Sequence, residues 1–402
     1  MQDIFEGKKI IVGVTGGIAA YKAAILIRQL VSRGAEVKVL MTPAATEFIA
    51  PLTLSTLSGN DVIINVFPPE QKNGSEMKTW HIDYGIWADL MIIAPATINT
   101  IAKIVNGFAD NALTTVVAAM RKPVIYAPAA DMDMYNKPAN KENLRKLTER
   151  GSFIVDGEEG FLASGLTGPG RMASVEKIID AAEIVLSDLK KDLTNKNILV
   201  TLGPTFEDID PVRFIGNRSS GKMGAAIAKA AFLRGANVTA ICGPTSEFLY
   251  PEIKCFNVRS AAEMQDAVRQ NINDNDILIM SAAVADYKPV DFSTTKIKKE
   301  NNIQEIKLTK TSDILASLEH NNKLIVGFAL ETDNEIENAI KKMKAKKMEM
   351  IVLNSLKDIG AGFEFETNKI SILFKNGNKI DYQLQSKFQT ANTILTEISN
   401  LK

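Results

Sequence analysis

The 402-residue chain reads as an α/β protein of two doubly wound, mostly parallel-sheet domains. Three observations predict this. Apolar runs of strand length alternate with helical patterns along the whole chain. Each half opens with a strand, a glycine turn and a helix. The length suits two domains, each able to bury its own core.

In the first opening, strand Lys9–Val14 meets the turn Thr15-Gly16-Gly17, and an alanine-rich helix runs from Ile18 to Arg33 before Gly34. Strand Glu36–Met41 ends in Thr42-Pro43, and further strands are expected at Asp61–Asn65, Leu90–Ala94, Val124–Ala127 and Phe153–Val155. A ligand of such a sheet sits outside the carboxyl ends of the strands. The turns Thr15–Gly17, Thr42–Thr46, Ala94–Thr100 and Pro128–Tyr135 fall there, all rich in small or hydroxyl residues. Small residues let a flat ring lie against the backbone, and hydroxyls can bond a phosphate tail. The spacing Gly13, Gly16, Gly17 departs from G-x-G-x-x-G, and the second strand ends in a threonine where a ribose-binding acid would stand. A nicotinamide dinucleotide is therefore disfavoured.

The charged run Asp188–Asn197 follows a helix at Val175–Leu186 and reads as a linker over residues 188–196, between domains at 1–187 and 197–402. The second domain is organised around Asn197–Gly224: a strand at Ile198–Leu202, the turn Gly203-Pro204, a long polar loop, and a helix opening near Gly221. Asn217, Arg218, Ser219, Ser220 and Gly221 place donors ahead of a helix N-terminus, where orphan amides and the helix dipole favour a phosphate. The order S-S-G-K-M-G lacks the upstream glycine of a P-loop. Strands are expected at Asn237–Cys242, Lys254–Asn257, Asp276–Met280, Lys323–Phe328 and Glu349–Leu353. A hairpin of Lys369–Phe374 and Lys379–Gln383 around Asn376-Gly377 precedes a terminal helix. This half is not a sequence repeat of the first.

Composition narrows the function. Basic and acidic residues balance at 47 each, so no net charge draws the chain to nucleic acid or acidic lipid, and small ligands are expected. Cys242 and Cys255 form no disulfide framework, Met1–Gly7 lacks a signal pattern, and no apolar run is long enough to cross a bilayer. A soluble cytoplasmic protein without membrane or nucleic-acid partners is expected.

Two further features carry chemistry or none. His81, in Lys78-Thr79-Trp80-His81-Ile82, is of a residue type that can move a proton at physiological pH, although an isolated histidine is more often structural. His320 is adequate as a helix-end charge. Lys296, Lys298 and Lys299 sit in a polar stretch that by itself reads as solvated surface.

These residues carry a resemblance that covers nearly the whole chain. Gly13-Val-Thr-Gly-Gly-Ile-Ala-Ala-Tyr-Lys22, His81, Pro95-Ala-Thr-Ile-Asn-Thr100, Gly160-Phe-Leu-Ala-Ser-Gly165 and Gly170-Arg-Met172 resemble the flavin-containing cysteine decarboxylases. Asp210-Pro-Val-Arg, Asn217-Arg-Ser-Ser-Gly-Lys-Met-Gly224, Ser281-Ala-Ala-Val-Ala-Asp-Tyr287 and Lys296-Ile-Lys-Lys299 resemble the phosphopantothenate-cysteine ligases. Together the halves resemble the bacterial bifunctional enzymes of coenzyme A biosynthesis, a flavodoxin-like flavoprotein domain followed by a Rossmann-like ligase domain.

The resemblance implies FMN in the first half, held by Gly16, Gly17, Ile18, Thr42 and the segment Pro95, Ala96, Thr97, Asn99 and Thr100, with His81 as a base. FMN would oxidise the cysteinyl side chain of 4'-phosphopantothenoylcysteine to a thioaldehyde, from which carbon dioxide leaves before the electrons return. In the second half the resemblance implies activation of 4'-phosphopantothenate by CTP as an acyl-cytidylate, followed by attack of the cysteine amine. Lys296 would close on the triphosphate, Asp286 would contact the nucleotide, and Phe328, Lys342 and Lys346 would surround it. Mg2+ would come mostly on substrate phosphates. The choice of CTP over ATP rests on the resemblance alone, which also implies a homo-oligomer.

Two positions depart from the family pattern. Its substrate segment reads proline, alanine, methionine, asparagine; here Pro128-Ala129-Ala130-Asp131 stands, with Met134 further on. An ionised aspartate cannot donate to a substrate carboxylate as asparagine does. Ser164 stands where the pattern has a proton-donating cysteine, and a hydroxyl is a far weaker acid than a thiol. Decarboxylation is expected to survive both changes. A ligase with a degenerate flavin domain, and a flavin-binding regulatory protein, are the other readings left open.

Overall fold

The apolar run Ile10–Val14 forms the buried body of β1 (Lys9–Val14), at the centre of the first sheet. The computed structural model describes residues 3–67, 79–298, 305–318, 323–331, 334–355, 362 and 365–401. Around β1 lie β2 (Glu36–Met41), β3 (Val62–Ile63), β4 (Leu90–Thr97), β5 (Val124–Ala129) and β6 (Phe153–Ile154), all parallel in the order 3-2-1-4-5-6. Alternate residues of β1 feed opposite cores, as the strand period requires. Ile10 and Val12 pack with Leu26, Ile27 and Leu30 of α1 (Tyr21–Ser32). Ile11 packs on the other face with Trp80, Leu113 and Leu147.

The helices of this unit continue with α2 (Pro51–Ser58), α3 (Trp80–Trp87), α4 (Ile98–Val105), α5 (Ala112–Ala119), α6 (Met132–Tyr135), α7 (Pro138–Glu149) and α8 (Val175–Leu186). The expected first helix is split, a 3-10 turn at Ile18–Ala20 leading into α1. An antiparallel hairpin of β7 (Glu158–Phe161) and β8 (Thr167–Arg171) has no counterpart in the expected strands, because its glycines and charges carry no period-2 apolar pattern.

The second sheet repeats the strand order on an unrelated sequence. Its members are β9 (Asn197–Leu202), with a small hairpin of β10 (Phe206–Asp208) and β11 (Phe214–Gly216) after it, then β12 (Asn237–Cys242), β13 (Lys254–Asn257) and β14 (Ile277–Met280). After the pair β15 (Tyr287–Pro289) and β16 (Leu308–Lys310) come β17 (Leu324–Glu331) and β18 (Met350–Ser355). The two-residue strand β19 (Thr367–Asn368) is followed by β20 (Ile370–Phe374) and β21 (Lys379–Asp381), and β22 (Gln385–Ser386) pairs back with β19. The sheet order is β13-β12-β9-β14-β17-β18-β20-β21, parallel through β18 and antiparallel beyond. Helices α9 (Lys222–Leu233), α10 (Ala261–Asn271), α11 (Glu335–Ala345) and α12 (Lys387–Asn400) complete the unit. Only Gly377 of the β20–β21 turn has a positive φ, 91°, so the Asn376-Gly377 turn is a longer bulged loop and not the two-residue type that needs positive φ twice.

The polar loop expected after Gly203-Pro204 is partly structured. Phe206 and Phe214 stack at 3.9 Å across the β10–β11 hairpin, with Arg259 over both rings.

The chain divides into the units Met1–Asp188 and Leu189–Lys402. The charged run expected as a linker is folded into the second. Leu193 is buried, and Arg234, itself only 4% exposed, holds the Asp192 carboxylate at 2.7 and 2.8 Å. Removing Asp192 would strand the buried Arg234 guanidinium without its carboxylate.

Candidate functional site

In the first unit the turns after β1, β2, β4 and β5 converge on one cleft of about 1040 Å³ at the topological switch of the sheet. Gly16, Gly17, Ile18, Thr42, Thr97, Asn99, Thr100, Asp131 and Met134 line it. Gly16 is required by close approach: a Cβ there would stand 2.5 Å from the Ala44 Cβ and 2.8 Å from its carbonyl carbon. The Thr42 hydroxyl is buried at the cleft without a hydrogen-bond partner. An orphaned hydroxyl is costly unless a ligand completes it. Small-residue walls and this hydroxyl fit a flat ring with a polar tail, so the residues present suit FMN.

Pro95 and Ala96 do not line the cleft; they are buried in β4 behind it. The Thr15 hydroxyl donates to the Pro95 carbonyl at 2.7 Å and accepts from the Thr97 amide at 3.0 Å, fixing the turn that presents Thr97. Ser164 sits exposed at the tip of the β7–β8 hairpin, where its hydroxyl accepts from the Leu166 amide at 3.4 Å. Its neighbours Leu162 and Ala163 reach the cleft and Ser164 does not line it. His81, half-buried near the start of α3, is not among the lining residues either. Asp131 caps α6, its carboxylate accepting from the Asp133 amide at 3.4 Å.

Residue periodicity gave no signal for three cations of this cleft. Lys22 donates to the Met172 carbonyl at 3.0 Å, and burial together with Arg171 pushes its ammonium below the ordinary lysine range. Arg171 comes from β8, and Lys103 pairs with Asp110 at 2.5 Å. The hairpin that carries Arg171 is pinned to the sheet by the Ala130 amide, which donates to the Gly170 carbonyl at 2.9 Å.

In the second unit a cleft of about 760 Å³ lies at the carboxyl ends of β14, β17 and β18, beside the start of α9. It gathers Asn217, Ser219 and Ser220 with Asp286, Phe328, Lys342 and Lys346, which are spread over more than half of the unit's sequence. Gly221, at φ 84°, caps α9 in a conformation that favours glycine. The Asn217 side chain is engaged: its amide donates to the Ala283 and Val284 carbonyls at 3.1 and 3.0 Å, joining the loop before α9 to the Ser281–Tyr287 turn. Asn217 thus lines the cleft while its amide group clamps that turn. Lys342 donates to the Phe328 carbonyl at 3.0 Å, and Lys346 pairs with Asp313 at 2.9 Å.

Arg218 and Lys296 are exposed and do not line this cleft. The residue after Lys296 is anchored by buried Asp210, which accepts from the Ile297 amide at 3.1 Å. Lys299 and His320 lie outside the described residues. Lys222, Lys387, Asn354 and Asn368 also line the cleft. Among the described residues no group of three or more His, Cys, Asp or Glu side chains could hold a metal ion, so the residues present do not make a magnesium cage. None of the described helices is long and apolar enough to cross a membrane.

Residues 3–186 match the family described as flavoprotein, and residues 193–401 match the DNA/pantothenate metabolism flavoprotein C-terminal domain. The chain is 42% identical over 402 residues to the coenzyme A biosynthesis bifunctional protein CoaBC of Bacillus subtilis (strain 168), covering 99% of this chain and 98% of that protein. It is 41% identical over 398 residues to CoaBC of Escherichia coli (strain K12), covering 98% and 97%. A protein named cysteine/cysteine sulfinic acid decarboxylase, from an unknown prokaryotic organism, is 46% identical over 364 residues, 88% of this chain and 99% of that one. With both units matched and relatives aligned almost end to end, the chain belongs to the family of bifunctional coenzyme A biosynthesis proteins, a flavoprotein half fused to a pantothenate-metabolism half.

Proposed function

We propose that the second unit joins 4'-phosphopantothenate to cysteine at the expense of CTP, and that the first unit decarboxylates the resulting 4'-phosphopantothenoylcysteine with FMN. The observation that carries the ligase reading is the gathering of three separate stretches, Asn217–Gly224, Met280–Asp286 and Gly327–Leu330, at one switch-point cleft. In the first step a carboxylate oxygen of the acid attacks the α-phosphorus of CTP and pyrophosphate leaves. The cysteine amine then attacks the acyl carbon and CMP leaves.

Residues on this cleft divide the work. Lys342 and Lys346 meet the nucleotide's phosphates, with Asp286 and Phe328 against its nucleoside. Asn217 shapes the turn it clamps. Lys296 reaches the reacting phosphate from the segment anchored by Asp210 and offsets charge that develops there. The magnesium ion arrives as part of the nucleotide substrate, held mostly by its phosphate oxygens. CTP in place of ATP is supported by family membership.

In the first unit the Thr42 hydroxyl, Thr97, Asn99 and Thr100 hold the FMN, while Gly16 and Gly17 let its ring lie against the backbone. Bound FMN supplies the reversible two-electron chemistry that lets the cysteinyl carboxylate leave as carbon dioxide. Ile18 and Met134 cover the cleft mouth. Asp131, turned to the Asp133 amide, keeps its charge off the substrate, and the Ser164 hydroxyl orients a proton-bearing water at the hairpin tip. His81 serves as the base from a second copy of the chain, because it does not line the cleft of its own unit. Exposed apolar residues support such an assembly: Ile18, Tyr21 and Ile25 follow one another on a single face around α1, and Ile82 and Ile86 stand beside His81 on α3.

A second reading concerns the first unit only. Asp131 and Ser164 depart from the family pattern, and the 46% identical relative is named for cysteine and cysteine sulfinic acid. On that reading the flavin unit acts on the free amino acid.

One experiment separates these readings. Purified protein is given 4'-phosphopantothenate, cysteine and CTP, and products are followed by mass spectrometry, with parallel reactions on free cysteine and cysteine sulfinic acid. Formation of 4'-phosphopantothenoylcysteine and then 4'-phosphopantetheine is the expected result. Carbon dioxide released only from the free amino acids would replace the first-unit proposal, and the absence of the ligated product would overturn the second.

A further inference from the structure

Lys387 and Lys222 are the first residues of α12 and α9, two helices that pack together, and both lysines line the second-unit cleft. This is an expensive place for two cations. A helix N-terminus carries the positive end of the dipole, and Lys387 is only 6% exposed. Burial and then the Lys222 charge push its ammonium down to about 8, with Glu366 and Glu247 acting the other way. Glu366 pairs with Lys222 and is itself largely exposed. Across the cleft Asn354 stands at the end of β18 with a buried carbonyl oxygen that has no partner, an acceptor for a ligand's hydroxyl or amide N–H.

An anionic ligand would reverse each unfavourable effect at once. It would complement the positive dipole ends of α9 and α12 and separate the two lysines' charges. The proposed reaction brings two anionic substrates into this cleft. Lys342 on α11 and Lys346 just after its end are the cations assigned to the nucleotide; the helix starts form the other positive pole. The acid substrate is a phosphomonoester whose arm also carries hydroxyl and amide groups of the kind Asn354 could receive.

We infer that Lys387, with Lys222, seats the phosphomonoester of the acid substrate and so makes this cleft select phosphorylated over unphosphorylated pantothenate. The inference rests on the ligase reading above and names the residues that decide its acid specificity. Lys387 is a binding residue here and takes no part in bond making.

The test uses full-length protein and Lys387→Met. The KM for 4'-phosphopantothenate should rise about tenfold or more, the loss expected for a charge-assisted contact, while the KM for CTP stays within about twofold. The preference for 4'-phosphopantothenate over pantothenate should shrink by the same factor. An unchanged KM for 4'-phosphopantothenate, or a rise confined to CTP, overturns the inference. A second measurement needs neither a variant nor turnover: amine acetylation of Lys387 in the native protein at pH 8, read by mass spectrometry. Protection by 4'-phosphopantothenate and not by CTP is expected; protection by CTP alone, or by neither, overturns it. Because this readout is binding, a protein without ligase turnover would refute the proposed reaction and still report on the seat.

Discussion

The Asp210 carboxylate accepts a hydrogen bond from the Ile297 amide at 3.1 Å, tying two stretches 87 residues apart. The same carboxylate accepts from the Val212 and Arg213 amides at 2.8 and 2.9 Å and from the Arg213 guanidinium. Arg213 in turn donates to the Ile297 carbonyl at 3.1 Å. Asp210 and Arg213 therefore grip the two peptide groups that flank Ile297, the residue after Lys296.

From this grip follows a prediction for Asp210→Asn. Ligation should slow about tenfold or more through misplacement of Lys296, with flavin content unchanged. Arg213 and the surrounding amides hold the Asp210 carboxyl well below the usual carboxylate range. A depressed carboxyl contributes stability that is present above its unfolded pKa, near 4, and is lost as pH falls toward its folded value. The melting temperature of wild type should exceed that of the variant at pH 6, and the gap should narrow as pH falls below about 4.

Replacing Lys296 itself tests its assignment to chemistry. Lys296→Gln should leave folding and flavin content intact and slow acyl-nucleotide formation by about a hundredfold, the scale of one lost transition-state donor. Rapid-quench measurement of the acyl-cytidylate formed from CTP reads this directly. Ligase turnover equal to wild type would return the lysine cluster to ordinary surface.

The flavin cradle is tested by colour. Gly16→Ala places a methyl group against Ala44 with no room for it, so the protein should purify without its yellow flavin while ligation continues. Thr42→Val removes the orphaned hydroxyl and should weaken FMN binding about tenfold, measured by fluorescence titration. A protein that is colourless as wild type and takes up no added FMN would refute the assignment of the cleft.

His81 acting across copies predicts complementation. His81→Asn and Gly16→Ala should each abolish decarboxylation alone. Co-expressed, they should regain roughly a quarter of wild-type activity, since a working site needs one intact cleft beside one intact histidine in a randomly mixed ring. No recovery from co-purified mixed oligomers would place the base within the same chain, or elsewhere.

Lys387 predicts a second pH effect, a penalty where Asp210 contributes a gain, and in both the wild type gains on its variant as pH rises. A lysine lowered to about 8 in the fold binds fewer protons than the unfolded chain between that value and the ordinary 10.5. Its penalty is thus full below pH 8 and fades as pH rises through that window. Ligand-free Lys387→Met should melt higher than wild type at pH 7, and the difference should shrink by pH 10.

Much of the architecture was legible because parallel strands buried on both faces leave continuous apolar runs. Ile10–Val14, Leu90–Ala94 and Ile277–Met280 are such runs, and each lies in a sheet of the expected class. The cleft residues Gly16, Thr42 and Thr97 were legible for a related reason: a turn that follows a strand in a sheet of this kind must fall at the ligand edge. The β7–β8 hairpin left no such trace, since its residues face solvent and cleft and carry no apolar period.

Local sequence by itself determined the strands, their glycine turns and the residues those turns present, because each depends on neighbours a few positions away. Tertiary structure decided what stands beside what. It showed that the charged run around Asp192 is anchored by buried Arg234, that Asn217 is spent on the Ala283 and Val284 carbonyls, and that His81 and Lys296 do not line the clefts of their own units. It also brought Lys387 to within the electrostatic reach of Lys222, 165 positions earlier in the chain. The energy of a charge depends on burial and on which other charges surround it, and both are set by the packing of distant helices, which no local pattern of residues records.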